Sequence, residues 1–250
     1  MESTSRKYPA IIIGLILLAF WQVSVDIGMV ERFTLPSPMD ILSSFGDMGP
    51  VLFIHIRTTL IEALSGFAIS IVLSLILSII MDSIPFINDG LRPFLVISQT
   101  IPIIVLAPLF AIWFGFGILP KIIVVVLVCF FPMLLSLLEG LNSIDKDLIN
   151  LLKSMGASKY QIYREVKFPA ALFSFFSGLK ISATYSIMGA VIGEWLGGKD
   201  GLGVYMLRLK HSFQLDKVFA VILVIILLSL FLFKIIELIQ IKVTPWTKKH

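Results

Sequence analysis

"KSMGASKYQIYREVKFPAA", Lys153 to Ala171, is a polar and basic island in a chain that is otherwise mostly apolar. Apolar sequence runs up to Glu139 before it and resumes at Ala170 after it. Of 250 residues, 58% are hydrophobic and 14% charged, with a mean hydropathy of +1.00. Soluble domains are nearer 45–50% apolar and about 25% charged. The bulk of this chain therefore belongs in a bilayer, whose hydrocarbon is crossed by helices of about 20 apolar residues. The island is a connection outside it, and its flanks are spans.

Working outward, six apolar stretches are long enough to matter, at about 9–28, 58–81, 94–114, 119–138, 170–195 and 217–241. They predict an all-α, polytopic membrane protein with six transmembrane helices. Basic residues precede the first stretch as in a signal peptide, but no small-x-small cleavage site follows, so it reads as an uncleaved helix. The division expected is a first helix in 1–28, an external linker in 29–57, a core of five spans in 58–241 and a tail in 242–250. The linker contains "FTLPSPMDILSSFGDMGP" (33–50), whose Pro, Ser and Gly mark turns around a short amphipathic helix. Span three, "FLVISQTIPIIVLAPLFAIWF" (94–114), carries Pro102 and Pro108. Proline there frees backbone carbonyls, tolerable only where protein or a wet cavity satisfies them, so this helix is expected inside the bundle. The single cysteine, Cys129, excludes an internal disulfide and any Cys-rich metal site and reads as a small buried hydrophobe.

Orientation follows from Lys and Arg near the span ends. With the N-terminus inside, the cytoplasmic set (Arg6, Lys7, Arg92, Lys146, Lys153, Lys159, Arg164, Lys167, Lys242, Lys248, Lys249) outnumbers the outer set (Arg32, Arg57, Lys121, Lys199, Arg208, Lys210, Lys217). Both termini and the island are thus expected in the cytoplasm. The net charge of +4 speaks to this orientation and does not argue for nucleic acid. Within the island, Leu148, Leu151, Leu152 and Met155 form one apolar stripe at helical spacing. Gly156 ends that helix in the left-handed conformation. Ser158 and Gln161 have the form of a capping box that starts a second helix, which runs into Pro169 at the first turn of the next span. Two short helices joined at a glycine make a knob too small to fold alone. Its apolar stripe wants a partner, or lies on the membrane surface as an ordinary loop would.

The island resembles the cytoplasmic "EAA" loop of ATP-binding-cassette importer permeases, whose pattern is E-A-A, three residues, G, nine residues, I, one residue, L-P. With Gly156 on that glycine, Val166 takes the isoleucine position and Phe168-Pro169 the L-P. Asn150-Leu151-Leu152 replaces E-A-A, so the carboxylate is missing there. The stretches "TLPSPMDIL" (34–42), "RTTLIEALSGFAISIVLSLIL" (57–77), "QTIPIIVLAPLFAIWFGFGILPKI" (99–122) and "GEWLGGKDGLGVYMLRLKHSFQLDKVFAVI" (193–222) all resemble the nitrate/sulfonate/taurine branch of these permeases. The last is most similar to members that carry pyrimidine precursors of thiamine. The resemblance implies a type I importer permease fold in a bacterial plasma membrane, with a coupling loop over 139–169. Residues Leu148, Leu151, Leu152, Met155, Gly156, Ala157, Ser158, Val166 and Pro169 would meet a separate ATPase. It further implies a second permease copy, an extracytoplasmic substrate-binding protein and alternating access. ATP would be bound by the partner subunit, with no cofactor in this chain.

Other motifs resolve against catalysis. "GEWLGGKD", Gly193 to Asp200, approximates a phosphate-binding P-loop, but Asp200 stands where a magnesium-binding hydroxyl is needed and no strand precedes it. His55, His211 and His250 lie far apart near span ends or termini, where solvation is expected. An intramembrane hydrolase and a non-transport scaffold are the rival classes. Polar residues inside spans default to functional candidates: Glu62, then Gln99 and Thr100 beside Pro102, then Ser182, Thr184, Tyr185 and Ser186, and Glu194 near the outer end of span five. Gly178, Gly189 and Gly193 read as close-packing points. The resemblance places Glu194 beside the pathway, where a structural pair with an outer basic residue is the other role for it. Amide, hydroxyl and phenol groups without a midspan Lys or Arg suit a neutral or zwitterionic solute, pyrimidine-like or taurine-like, better than a bare anion.

Overall fold

The computed structural model describes residues 7–245, which are almost wholly helical. Arg6, Lys248, Lys249 and His250 lie outside the described residues. Helix α1 spans Lys7–Asp26. Helix α2, Pro38–Ser83, opens with a reciprocal capping box: the Ser37 hydroxyl accepts the Asp40 N–H at 3.2 Å and an Asp40 carboxylate oxygen accepts the Ser37 N–H at 3.0 Å. A break at Gly49 (φ 41°) divides it. The first part is the short helix expected in the linker. The second begins at Pro50, where a missing N–H costs nothing, and runs unbroken through the expected boundary at 57/58. Residues 50–57, placed in the linker by that boundary, lie on a continuing helix.

Span three departs further from expectation. It is two helices, α3 (Pro85–Ser98) and α4 (Ile103–Phe114), bent by 98°. Pro102 cannot donate back to Ser98 O, which takes the Ile101 N–H at 3.4 Å instead, and side chains add bonds to the neighbouring end carbonyls. Ser98 Oγ and Gln99 Nε2 donate to Leu95 O at 2.9 and 3.2 Å, and Thr100 Oγ1 to Ile97 O at 2.7 Å. Because the break satisfies itself, it needs no interior site. Phe94, Ile97, Ile112 and Trp113 are more than 60% exposed, so in the single chain this pair lies at the margin, not inside the bundle.

Helix α5 (Ile118–Asn142) is the axis of the molecule, packed along α8 (Phe168–Glu194) on one side and α2 on the other. Gly66, Ser70, Ser74 and Ser78, four residues apart, give α2 a small-residue stripe that lets the backbones close. Ser70 Oγ also reaches Val126 O at 3.1 Å. From α8, Gly178, Gly189 and Gly193 meet α5 in the same way; a Cβ at Gly178 would fall 2.7 Å from Pro132 O. Phe67, Val125, Met133, Leu137, Phe176 and Ile187 fill the core between the three. Helix α10 (Leu215–Val243) covers α8 and α2, and α1 lies against α2 and α10 through Trp21, whose ring centroid is 6.3 Å from that of Phe219. Between α5 and α8 stand α6 (Lys146–Ser154) and α7 (Lys159–Ile162), the latter passing through a π turn, Tyr163–Lys167, into α8. Helix α9 (Leu202–His211) caps the opposite end. Four described helices are long and apolar enough to cross a membrane, five counting the bent pair as one span, and α1 adds a shorter apolar helix.

Candidate functional site

The 143–169 connection is built by local rules. Asp145 caps α6, accepting the Asp147 N–H at 2.8 Å. Gly156 (φ +86°) closes it: Ala157 N–H reaches Leu152 O and Gly156 N–H reaches Lys153 O, both at 3.0 Å, the paired bonds of a Schellman cap. Ser158 and Gln161 then cap α7 reciprocally, at 3.2 and 2.8 Å. Pro169 sits just beyond the π turn; that wider turn leaves room for its ring, which would otherwise press on the carbonyl four residues back. Leu148, Leu151 and Met155 are exposed at 42%, 58% and 75%. A groove of about 400 Å³ beside them is lined by Leu152, Met155, Gly156, Ala157, Gln161 and Val166. The segment is a preorganised apolar projection that no other described residue covers.

At the opposite end lies a buried polar clamp. His55, Thr59 and Glu62 lie on one face of α2, Lys121 on the first turn of α5, and Glu194 at the end of α8; none exceeds 6% exposure. Lys121 Nζ is 2.7 Å from Glu62 Oε1. The Thr59 hydroxyl is 2.6 Å from Glu194 Oε1 and accepts the Leu202 N–H at 2.8 Å. Gly203 N–H donates to Glu194 Oε2, and Gly201 N–H to His55 Nδ1 at 3.0 Å. His55 stacks on Tyr205, centroids 4.5 Å apart, and burial raises the Tyr205 phenol above its ordinary range. The clamp thus ties the α8–α9 loop to α2 and α5. That loop is the near-P-loop sequence, and Gly201 (φ +127°) admits no side chain there: a Cβ would lie 2.2 Å from Glu194 Cδ. The expectation that His55 is solvated is therefore corrected. Glu62 and Glu194 were visible in the sequence, and Lys121 counted only as an outer charge; the i, i+4, i+7 spacing of His55, Thr59 and Glu62 was the available signal.

The remaining polar candidates separate. Gln99 and Pro102 border a cleft of about 380 Å³ against Leu127, Val128, Phe131 and Pro132 of α5, while the exposed Thr100 is spent on the helix end. Ser182 is fully enclosed, its hydroxyl donating to Cys129 O at 2.8 Å and the Cys129 thiol to Ser182 O at 3.3 Å, a two-way joint between α5 and α8. Ser186 is buried and bonded to Ala183 O. Thr184 bonds Ile181 O, and Tyr185, 41% exposed, shares the uncovered face of α8 with Ile181 and Met188. Lys180 lies within α8, which corrects the reading that the spans carry no midspan cation; its ammonium sits 6.0 Å above the Phe233 ring of α10.

Residues 70–245 match the family described as binding-protein-dependent transport system inner membrane component. The chain belongs to that family. It is a membrane-embedded permease subunit of the ATP-binding-cassette importer class, and not an enzyme. Among its relatives is the formylaminopyrimidine transport permease protein ThiX of Halalkalibacterium halodurans, 37% identical over 98% of this chain and 99% of the relative. The riboflavin transport system permease protein RibX of Chloroflexus aurantiacus is 32% identical over 93% and 87%. The taurine transport system permease protein TauC of Escherichia coli is 26% identical over 92% and 86%. A chain of the MetNI methionine ABC transporter, solved in inward-facing conformations, matches with a TM-score of 0.59 over 78% of this permease and 99% of that chain; at 19% identity the likeness shows the fold.

Proposed function

We propose that this permease imports a small, polar, ring-bearing organic nutrient, pyrimidine-like, across a bacterial plasma membrane with both its termini in the cytoplasm. The observation that carries the coupling part is the Gly156 joint: two capped helices hold Leu148, Leu151 and Met155 out as an uncovered stripe. A separate ATPase receives that stripe, two permease copies enclose the pathway, and a loaded binding protein engages the far end. ATP on one side and the loaded binding protein on the other bias the two arrangements by differential contact. Selectivity rests mainly in the binding protein. The substrate class is supported by the relatives' names, in which a formylaminopyrimidine and riboflavin carrier are more similar to this chain than a taurine carrier. A sulfonate is the second reading.

The test is ligand binding by the cognate binding protein. Tight binding of a pyrimidine, with weaker or no binding of sulfonates, is expected. Tight binding of nitrate, with none for pyrimidines, flavins or sulfonates, would overturn the substrate class.

A further inference from the structure

On a different face of the coupling segment from the Leu148, Leu151 and Met155 stripe lies a second concavity, of about 440 Å³. Its floor is the end of α2, at Asp82 and Ser83, and its walls are Ile149 and Lys153 of α6, then Lys159, Tyr163 and Lys167. Lys167 is already spent: its ammonium donates to both Asp82 oxygens at 2.8 Å, joining α8 to α2. Lys153 and Lys159 are exposed, and neither is ion-paired among the described residues. The Tyr163 hydroxyl is buried and has no hydrogen-bond partner among the described residues. The pocket is therefore lined by two uncommitted ammonium groups around space for a small group, with the Tyr163 hydroxyl enclosed behind its wall. That donor set calls for an anion with several oxygens, a phosphate.

Position selects the source of that phosphate. The floor is where α2 ends and α8 begins, the level at which two spans leave the hydrocarbon. Tyr160, also lining the pocket, is 71% exposed, as a ring lying at a headgroup layer would be. Basic pockets between span ends on the cytoplasmic side suit anionic headgroups. We propose that this pocket takes the phosphate of an anionic lipid headgroup, held by Lys153 and Lys159, and so braces the 143–169 connection against the membrane. This stands whether or not the neighbouring stripe docks an ATPase.

The experiment places the full chain with its associated subunits in bilayers of phosphatidylcholine with or without phosphatidylglycerol, and counts retained lipid by native mass spectrometry. Wild type should retain phosphatidylglycerol selectively. Lys153→Gln with Lys159→Gln should weaken retention by roughly thirty-fold, the loss expected for two surface cations. Lys153→Gln alone should weaken it about five-fold, and Lys242→Gln, a single charge loss of the same kind at the end of α10, should leave it unchanged. Equal retention by wild type and the double variant overturns the proposal. Displacement of the lipid by millimolar inorganic phosphate also overturns it, in favour of a soluble anion. So does loss of another subunit from the double variant in pure phosphatidylcholine, which would assign these lysines to subunit docking.

Discussion

Lys121 shows how much one side chain can hold at the buried end of this permease. Its ammonium is the only cation in direct contact with the other clamp residues among the described residues, and it serves the carboxylate of Glu62. Lys121→Met should therefore cost about 3–5 kcal/mol, because a buried carboxylate is left without its counter-charge. Chemical or thermal unfolding of the purified protein measures it. Glu62→Gln with Lys121→Met should recover more than half of that loss, since the uncompensated charge goes too. Additive losses would show that the pair does not act as a unit. Glu62 and Glu194 were legible from sequence, because a carboxylate in an apolar run is conspicuous. Lys121 was not, since a lysine near a span end looks solvated until α2 and α8 are known to fold over it.

Single elements explain themselves to very different degrees. The backbone of the 143–169 connection was legible in detail, because its Schellman cap and capping box are local patterns that depend on a few neighbouring residues. Gly156→Val should add strain of roughly 1–2 kcal/mol at the left-handed joint and redirect the stripe. Uptake should fall severely while membrane insertion and expression stay normal, which parallel transport and immunoblot assays would show; normal uptake would count against docking through this segment. Span three was only half legible. Pro102 and Pro108 signalled disturbance, but not a 98° bend at which Thr100 and Ile101 N–H groups and the Ser98, Gln99 and Thr100 side chains cover the end carbonyls of α3. The α5–α8 contact was visible only as a row of glycines. Gly178→Val should push a side chain into Pro132 O, where even a Cβ would come within 2.7 Å. The expected result is loss of monodisperse protein on size-exclusion chromatography, whereas Gly46→Ala, at a site with open space, should behave as wild type.

For the whole molecule, composition and apolar run length were enough to read an all-helical membrane bundle, since the bilayer leaves few other choices. The order of packing was not readable. That α5 forms the axis, with α2 and α8 closed on it by glycine and serine stripes, rests on close approaches between residues far apart in sequence. The pathway was least readable, because one copy of the chain leaves the α8 face of Ile181, Tyr185 and Met188 uncovered. On this reading the bundle moves solute only when a separate ATPase acts through the Gly156 joint. The most direct test is uptake into proteoliposomes containing the permease with or without its ATPase, the loaded binding protein on one side and ATP on the other. The account predicts ATP-dependent uptake with the ATPase, none without it, and none for Gly156→Val in the complete assembly. ATP hydrolysis or sustained uptake by the purified permease alone would contradict it.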